Sequence, residues 1–341
     1  MKTLPHIASL AVLTLTLLTG CGGSTQFGLH SAGSVIPSAT LAGNSIAISG
    51  NYAYVTLQGT SGAIAVLNIA GNTPTLLTTF ALPCSTPNGI KISGSVLYVT
   101  CYDNSALYIL SVNNAAPSAP VFAITGSVLG LQNPYPGIAL SGTELYVPSH
   151  AGFIFRVNVS NPAAPGIDGS VATALGTSPN AVFVSGNVVY CACSSEPTLS
   201  WFQTFNATGT MALLGEIPLA HSPQRLIVNG NYAYVTNFDA MKLDIVDVTN
   251  PAAPSVLSSA ALPCFALPIA LNGNTVYVGC YQSPHGIASI DVTNPAAPAI
   301  LGYTATTASL DVQDLLFTGG DLYALSGDAG GNFNILSTGS F

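Results

Sequence analysis

Three histidines and one carboxylate lie in short polar stretches between apolar runs, where side chains are free to do chemistry. His150, His221 and His285 carry imidazoles, which ligate metals and exchange protons near neutral pH, and Asp239 could complete a metal shell. A metal-assisted hydrolase would need two or more of these groups to converge on one point. Side chains that face solvent without converging would instead indicate a binding surface, because loop residues are often polar for solvation alone.

Four cysteines are predicted to form two disulfides. Cys84 and Cys101 flank one apolar hairpin, and Cys264 and Cys280 flank another in nearly the same way. In the first hairpin, Cys101 is expected opposite Asn88, within reach of Cys84 if the preceding loop folds back. Each bridge would close a loop of about 17 residues, which fits an oxidising compartment.

Cys191 and Cys193 are a different kind of pair. They lie two positions apart on one strand, so their side chains share a face. They are either a strained disulfide, two buried thiols, or a redox or soft-metal site. No Met or His lies near them in sequence to complete a metal shell.

These histidines and cysteines lie within a sequence repeat that sets their positions in the fold. A Tyr recurs seven times, each four residues after a Gly, at intervals of roughly 45 residues. The glycines are Gly50, Gly94, Gly142, Gly186, Gly230, Gly273 and Gly319, and the tyrosines are Tyr54, Tyr98, Tyr146, Tyr190, Tyr234, Tyr277 and Tyr323. Because this Tyr is periodic and lies on a strand, we expect it to pack between neighbouring repeats.

The fifth repeat shows how one unit is built. Apolar runs at 226–228 and 232–235 are joined by Asn229-Gly230, a strong hairpin signal. Residues 243–248 alternate like a half-buried strand, and residues 255–260 give a fourth strand after an Asn-Pro stop. Four antiparallel strands per repeat predict one propeller blade, and seven repeats predict an all-β, seven-bladed β-propeller, with six or eight blades as alternatives.

The seventh repeat ends after its third strand, over residues 332–336. An open ring would expose a strand edge. The segment 34–41 precedes the first repeat, and we expect it to supply the missing strand and close the ring by pairing the two chain ends.

The first strand of each propeller blade lines the central channel. Six residues before the repeat glycines come Asn44, Asn88, Pro136, Asn180, Gln224, Leu267 and Gln313, five of them with side-chain amides. These amides are predicted to ring one mouth of the channel, either as a binding rim or as partners of the next blade's backbone.

The loops after the second strands and those entering the blades open on the same face. The candidate ligand-binding residues of this loop face are Asn88, Tyr135, His150, Asn180, His221, Gln224, Arg225, Asp239, His285 and Gln313. The same loops hold Tyr102, Asp103, Glu196, Phe238, Tyr281 and Asp328.

Several third strands and their turns carry a family resemblance. Residues 243–257 read LDIVDVTNPAAPSVL, residues 288–301 read ASIDVTNPAAPAIL, and residues 155–165 read FRVNVSNPAAP. They resemble LVIVD-type repeats of bacterial surface and secreted propellers, and the YVTN at 234–237 resembles the related YVTN propellers. The resemblance extends over almost all of residues 40–341 and implies a fold rather than an activity.

The N-terminus resembles that of a bacterial lipoprotein. Lys2 precedes an apolar stretch at 7–18, and Leu18-Thr19-Gly20-Cys21 resembles a lipobox. The resemblance implies a signal peptide at 1–20, a diacylglycerol-modified and palmitate-bearing Cys21, a tether at 21–33 and the propeller at 34–341. The absence of Asp after Cys21 resembles lipoproteins sorted to an outer membrane.

The composition of the chain limits the classes of function that we expect. Only 5% of residues are charged, and 13 acidic against 5 basic residues give a net charge of −8, which argues against nucleic-acid binding. We expect a monomeric, lipid-anchored binding scaffold in the cell envelope, with a bilayer as one partner and an envelope protein, peptide or glycan as another. No catalytic residue, metal or cofactor is assigned. One alternative is an enzyme that uses the channel mouth: a metal-assisted or lactonase-like hydrolase, or a quinoprotein-like enzyme, since some propellers with YVTN-like repeats resemble lactone hydrolases or quinoprotein dehydrogenases. Another alternative is a purely structural surface protein.

Overall fold

The computed structural model describes residues 29–38, 40–71, 73–114, 120–174, 176–195, 199–305, 311–327 and 333–337. Within these ranges the regular structure consists of 28 β-strands, without a helix. The predicted signal peptide, Cys21 and the tether up to residue 28 lie outside the described residues, as do Glu196 and Asp328.

The strands form seven four-stranded antiparallel sheets, as the repeat predicts. Blade 1 holds β2 (Ala42–Ser49), β3 (Tyr52–Gln58), β4 (Ala63–Asn68) and β5 (Thr75–Ala81). Blade 2 holds β6 (Pro87–Ser93), β7 (Val96–Cys101), β8 (Ala106–Asn113) and β9 (Val121–Leu129). Blade 3 holds β10 (Ala139–Ser141), β11 (Glu144–Ser149), β12 (Phe153–Asn158) and β13 (Gly166–Ala172).

The next three blades repeat this order of consecutive strands. Blade 4 holds β14 (Ser178–Ser185), β15 (Val188–Ser195), β16 (Leu199–Asn206) and β17 (Leu213–Pro218). Blade 5 holds β18 (Pro223–Asn229), β19 (Tyr232–Asn237), β20 (Lys242–Asp247) and β21 (Ser255–Ala261). Blade 6 holds β22 (Ala266–Asn272), β23 (Thr275–Cys280), β24 (Gly286–Asp291) and β25 (Ala299–Ala305).

Blade 7 is assembled from both ends of the chain. Its strands are β26 (Val312–Thr318), β27 (Asp321–Ser326), β28 (Phe333–Ser337) and, as the outermost, β1 (His30–Val35). The N-terminal closing strand is therefore confirmed, but its predicted position at 34–41 is wrong. The chain between Val35 and Ala42 thus connects the outermost strand of blade 7 with the inner strand of blade 1.

The repeat glycines form the tight turns between the first two strands of each blade. In blade 5 the hairpin predicted at Asn229-Gly230 is confirmed: Asn229 pairs with Tyr232, so the two turn residues are Gly230-Asn231. Gly230 has φ +57° and Asn231 is not left-handed, the pattern of a type II′ turn with Gly in its first central position. The same left-handed φ recurs at all seven repeat glycines.

The repeated tyrosines pack between blades, as expected. Tyr54 is fully buried in a cluster that holds Ile90 and Leu97 of the next blade. Tyr323 lies likewise in the cluster of blade 1 and so couples the last blade to the first. All seven tyrosines are buried, and each belongs to a core that it shares with its neighbour.

Candidate functional site: the loop-face mouth

An irregularity in the inner strands presents the amide side chains to the channel mouth. In blade 4, Pro179 pairs with Cys193 and Ala181 pairs with Ala192, so Asn180 is left unpaired. Such β-bulges re-aim a side chain and recur beside functional sites. The same irregularity occurs in β2, β6, β18, β22 and β26. In β6 it places Pro87, and not the predicted Asn88, opposite Cys101.

The seven residues of the predicted ring line a single cavity of about 420 Å³ at one mouth of the channel. Its lining consists of Asn44, Gln58, Thr86, Asn88, Tyr102, Tyr135, Pro136, Asn180, Gln224, Arg225, Phe238, Leu267, Tyr281 and Gln313. Six of the ten candidate ligand-binding residues are thus brought together: Asn88, Tyr135, Asn180, Gln224, Arg225 and Gln313. The other four, His150, His221, Asp239 and His285, are not part of the lining.

Two of the amides hold neighbouring blades together. The Nδ2 of Asn88 donates to the carbonyl of Pro134, which leads into blade 3, at 2.5 Å. The Nδ2 of Asn180 donates to the carbonyl of Pro223 in blade 5 at 2.7 Å. Both side chains are buried, so their amides satisfy backbone groups at the blade interfaces.

The remaining amides are less committed. Gln224 donates to Ser222 Oγ at 3.1 Å, and Asn44 donates to Gln58 Oε1 at 3.3 Å, each within its own blade. For Gln313 we find no hydrogen bond among the described residues. These half-buried amides can therefore offer donors and acceptors to a ligand.

One aromatic cluster lies on the blade 2 and blade 3 side of the mouth. The ring centroids of Tyr102 and Tyr135 are 6.3 Å apart, and both rings line the cavity. His150 is exposed beside them, with its ring centroid 5.5 Å from that of Tyr135. His150 is therefore in contact with the mouth without lining it.

A second aromatic cluster lies across the mouth, between blades 5 and 6. Phe238 contacts Phe265 with ring centroids 5.2 Å apart and Tyr281 with centroids 5.8 Å apart. Phe238 and Tyr281 line the cavity, and all three rings are half-buried. The mouth thus combines apolar ring faces on two sides with amides between them, a composition typical of small-molecule and peptide sites.

The histidines and Asp239 do not converge. Nδ1 of His285 lies 3.1 Å from Oδ1 of Asp311, which pairs the end of a blade 6 loop with the chain leading into blade 7. Asp239 is exposed in the loop after Phe238, and His221 is half-buried before β18. In the described part of the chain no three His, Cys, Asp or Glu side chains come close enough to hold a metal ion. The geometry therefore does not support the metal-assisted hydrolase built on these residues.

The disulfides hold the loops that carry the mouth aromatics. Cys84–Cys101 and Cys264–Cys280 are formed, as predicted, with Cα atoms 6.3 and 5.5 Å apart. Tyr102 directly follows the first bridge. Its backbone N donates to the carbonyl of Thr86 at 3.0 Å.

The second bridge does the same for the other cluster. Phe265 and Tyr281 each follow one of its cysteines, and the backbone N of Tyr281 donates to the carbonyl of Phe265 at 3.0 Å. Cys191 and Cys193 are also disulfide-bonded and lie fully buried in the core between blades 3 and 4. That pair is a disulfide rather than a metal site, and it does not line the mouth.

Asp103 fixes the loop beside the first disulfide. Its carboxylate accepts hydrogen bonds from the backbone N and hydroxyl of Ser85, at 3.0 and 2.9 Å, and from those of Thr86, at 3.3 and 2.9 Å. Partial burial acts to raise the pKa of Asp103, but these four bonds outweigh it and lower the pKa to about 2. The carboxylate therefore stays ionised and keeps Thr86 at the edge of the mouth.

The channel behind the mouth carries three charges, of which only Arg225 was anticipated from sequence. A second cavity of about 450 Å³ is lined by the inner strands and holds Lys91, Arg225 and Asp314. The signal that could have identified them is simple: in a chain with 5% charged residues, these are the only charged residues within the inner strands. The mouth and the channel share Asn44, Pro136, Arg225 and Gln313, so the two cavities adjoin.

Backbone geometry fixes two of the charges. The N–H of Arg225 donates to Thr236 Oγ1 at 3.1 Å, and that hydroxyl also bonds the carbonyl of Leu267 in blade 6 at 3.0 Å. Asp314 Oδ2 accepts from Ser45 Oγ and from the N–H of Ile46, both at 2.8 Å, across the junction of blades 7 and 1. Enclosure by the channel wall raises the pKa of Asp314, although these bonds and the nearby cations oppose the shift.

The chain forms a seven-bladed propeller with a cavity at the loop-face mouth of its channel, and the comparisons agree at the level of the fold. The LVIVD repeat model matches residues 42–61, 136–173 and 222–261, so the chain contains LVIVD repeats. A search of curated proteins gives no significant match.

Solved structures with the same architecture are distant in sequence. BamB from Moraxella catarrhalis is 14% identical, with 96% of this chain and 98% of that one covered and a TM-score of 0.58. A protein from Lactobacillus plantarum is 17% identical over 78% and 86% of the two chains, with a TM-score of 0.66. A chain of a mitotic checkpoint complex is 11% identical over 98% of each chain, with a TM-score of 0.69. At these identities the likeness establishes the fold alone.

Proposed function

We propose that this protein is a lipid-anchored propeller of the cell envelope that binds a protein, peptide or glycan partner through its loop-face mouth. The observation that carries the proposal is the convergence of two aromatic clusters and a set of uncommitted amides on one cavity of about 420 Å³. Aromatic side chains supply large, rigid contact area, and amides supply orientation. Asn44, Gln224 and Gln313 keep donors and acceptors free for that purpose.

The rigid framework supports a binding role. Both disulfides lie next to mouth aromatics, so these rings are ordered before a partner arrives, and the entropy cost of binding falls. Propellers of this fold include a chain of a mitotic checkpoint complex, which by its name is an assembly of proteins. BamB from Moraxella catarrhalis matches over nearly the whole chain.

The anchor part of the proposal rests on the lipobox-like Leu18-Thr19-Gly20-Cys21. Among the described residues the structure holds no helix that could cross a bilayer, so an acylated Cys21 would have to provide the attachment. Replacing Cys21 by Ser in a bacterial host with an outer membrane is expected to shift the chain from the membrane fraction to the soluble fraction. Mass spectrometry of the wild-type N-terminal peptide is expected to show a diacylglycerol and palmitate on Cys21. An unmodified wild-type peptide, or a variant that stays in the membrane, would refute the anchor.

The binding part is tested with one aromatic from each cluster. Tyr135→Ala with Phe238→Ala removes ring surface on both sides of the mouth and is expected to weaken partner capture at least tenfold, since aromatic anchors carry most of the energy in such sites. The measurement is cross-linking in native envelope followed by mass spectrometry, with a parallel assay on purified envelope glycans.

The matched control truncates two exposed apolar side chains, each at the end of an outer strand that lies away from the loop face. Val121→Ala with Leu213→Ala removes exposed surface from β9 and β17 and is expected to leave capture unchanged. Thermal unfolding shows whether both variants keep the fold. A partner list identical for the wild type and the mouth variant, with both folded, would exclude the mouth as the binding site.

A further inference from the structure

The inner channel holds an unusual concentration of positive charge. The whole chain has five basic residues, and two of them, Lys91 from blade 2 and Arg225 from blade 5, line the same channel cavity. The rest of that lining is apolar or amide-bearing apart from Ser45 and Asp314. A chain with a net charge of −8 has thus placed two of its few cations along one channel, where Arg225 is half-buried and Lys91 is exposed.

Neither cation forms a salt bridge within the described residues. Among the described residues Lys91 has no hydrogen bond, and Arg225 uses one of its five N–H donors, from Nη1 to the carbonyl of Gln224 at 3.0 Å. No carboxylate lies within 4.0 Å of either group in the described ranges. The wall around them lowers the pKa of both side chains, with Asp314 acting in the opposite direction.

Asp314 does not complete a compact salt bridge, because its oxygens are already engaged. Oδ2 accepts from Ser45 and Ile46, and Oδ1 accepts from the N–H of Leu315 at 2.9 Å. The carboxylate therefore serves the junction between blades 7 and 1. It leaves the channel with two cations against one committed anion.

Arg156, which lies outside the channel, shows the contrast. Arg156 on blade 3 has Nε 2.8 Å from Oδ1 of Asp168 and donates from Nη1 to the carbonyls of Ala207 and Gly209, at 3.1 and 2.8 Å. Its charge and its donors are thus satisfied by the protein. The N–H donors of Lys91 and Arg225 that have no partner in the described residues can instead bind an acceptor that enters the channel from outside.

We propose that the channel behind the mouth is a binding site for the oxyanion group, carboxylate or phosphate, of a small ligand that enters through the loop face. Lys91 supplies a mobile ammonium, and Arg225 supplies a planar fork suited to two oxygens. The channel volume of about 450 Å³ accommodates a small organic acid, with the half-buried amides and rings of the mouth left to contact its neutral part. The site does not depend on the partner proposed for the loop face.

The test is calorimetry and thermal unfolding of the full chain in non-ionic detergent, with phosphate, acetate and citrate as probes at constant ionic strength. Saturable binding by at least one probe and a rise in its melting temperature are expected for the wild type, because a ligand that binds only the folded state stabilises it. Phosphate acting without the carboxylates would identify a phosphate site, and the reverse a carboxylate site.

Four variants test whether the binding belongs to the channel. Lys91→Met and Arg225→Gln are each expected to weaken the bound probe at least tenfold, because charge-assisted hydrogen bonds are lost. Lys91→Arg is expected to retain binding. Lys242→Met, which removes the same charge from a position outside both cavities, is expected to bind like the wild type.

The melting temperature of the ligand-free protein distinguishes a ligand-binding role of Lys91 from a structural one. Without ligand, Lys91→Met is expected to melt no lower than the wild type, because the exposed Lys91 side chain makes no hydrogen bond or salt bridge among the described residues that the substitution would remove. A lower melting temperature for Lys91→Met would assign Lys91 to structure and overturn the proposal. The proposal would also be overturned if none of the three probes bound saturably, or if Lys242→Met weakened probe binding as much as Lys91→Met and Arg225→Gln.

Discussion

A chain that begins at Pro37, and so lacks the closing strand, is expected to lose on the order of 5 kcal/mol of unfolding free energy. Two losses add up. The backbone of β1 pairs with β28 from His30↔Ser337 to Val35↔Phe333, and this ladder disappears. The burial of Leu29 in the core of blades 6 and 7 disappears with it. Typical domains have only about 5–15 kcal/mol of stability, so the shortened chain should be close to unfolding.

The measurement is urea unfolding followed by the fluorescence of Trp201, the one tryptophan of the chain. The matched control begins at Leu29 and keeps β1 complete. Adding a synthetic peptide of residues 29–36 to the shortened chain is expected to restore part of the lost stability, because it can pair with the exposed edge of β28. Equal unfolding midpoints for the two chains would show that the ring does not depend on β1.

The fold could be predicted from sequence because its signals are local and repeated. Gly230 and Tyr234 stand for seven equivalent pairs, and each pair reports one tight turn and one buried inter-blade ring. The position of β1 could not be derived in the same way. It depends on the span from the outer edge of blade 7 to the inner strand at Ala42, which only the assembled ring defines.

The mouth was partly predictable for the same reason. The amide ring follows a fixed offset from the repeat glycine, and all seven residues at that offset line one cavity, six of them at a bulge of their inner strand. The repeat pattern does not predict the position of residues that occur in only one blade. Lys91 and Asp314 come from single blades, and His285 pairs with Asp311 of the neighbouring blade instead of joining the other histidines.

Replacing Cys84 and Cys101 together by Ala is expected to lower the unfolding free energy by about 3 kcal/mol, and the same change at Cys264 and Cys280 should have a similar effect. The bridges span 17 and 16 residues, so each restricts the unfolded chain to a similar extent. They lie in different blades, and their losses should add to about 6 kcal/mol in the quadruple variant. Denaturant unfolding of the oxidised proteins measures these differences.

The third disulfide provides the control for this interpretation. Cys191 and Cys193 lie only two positions apart, so their bridge restricts the unfolded chain much less, by roughly half as much free energy in the loop-closure model. The six bridged cysteines are all buried, and replacing any pair by Ala therefore removes similar packing. Equal losses in all three double variants would show that packing, and not the cross-links, stabilises the fold. A larger loss for the two long bridges would show that they stabilise the blades whose loops carry Tyr102 and Tyr281.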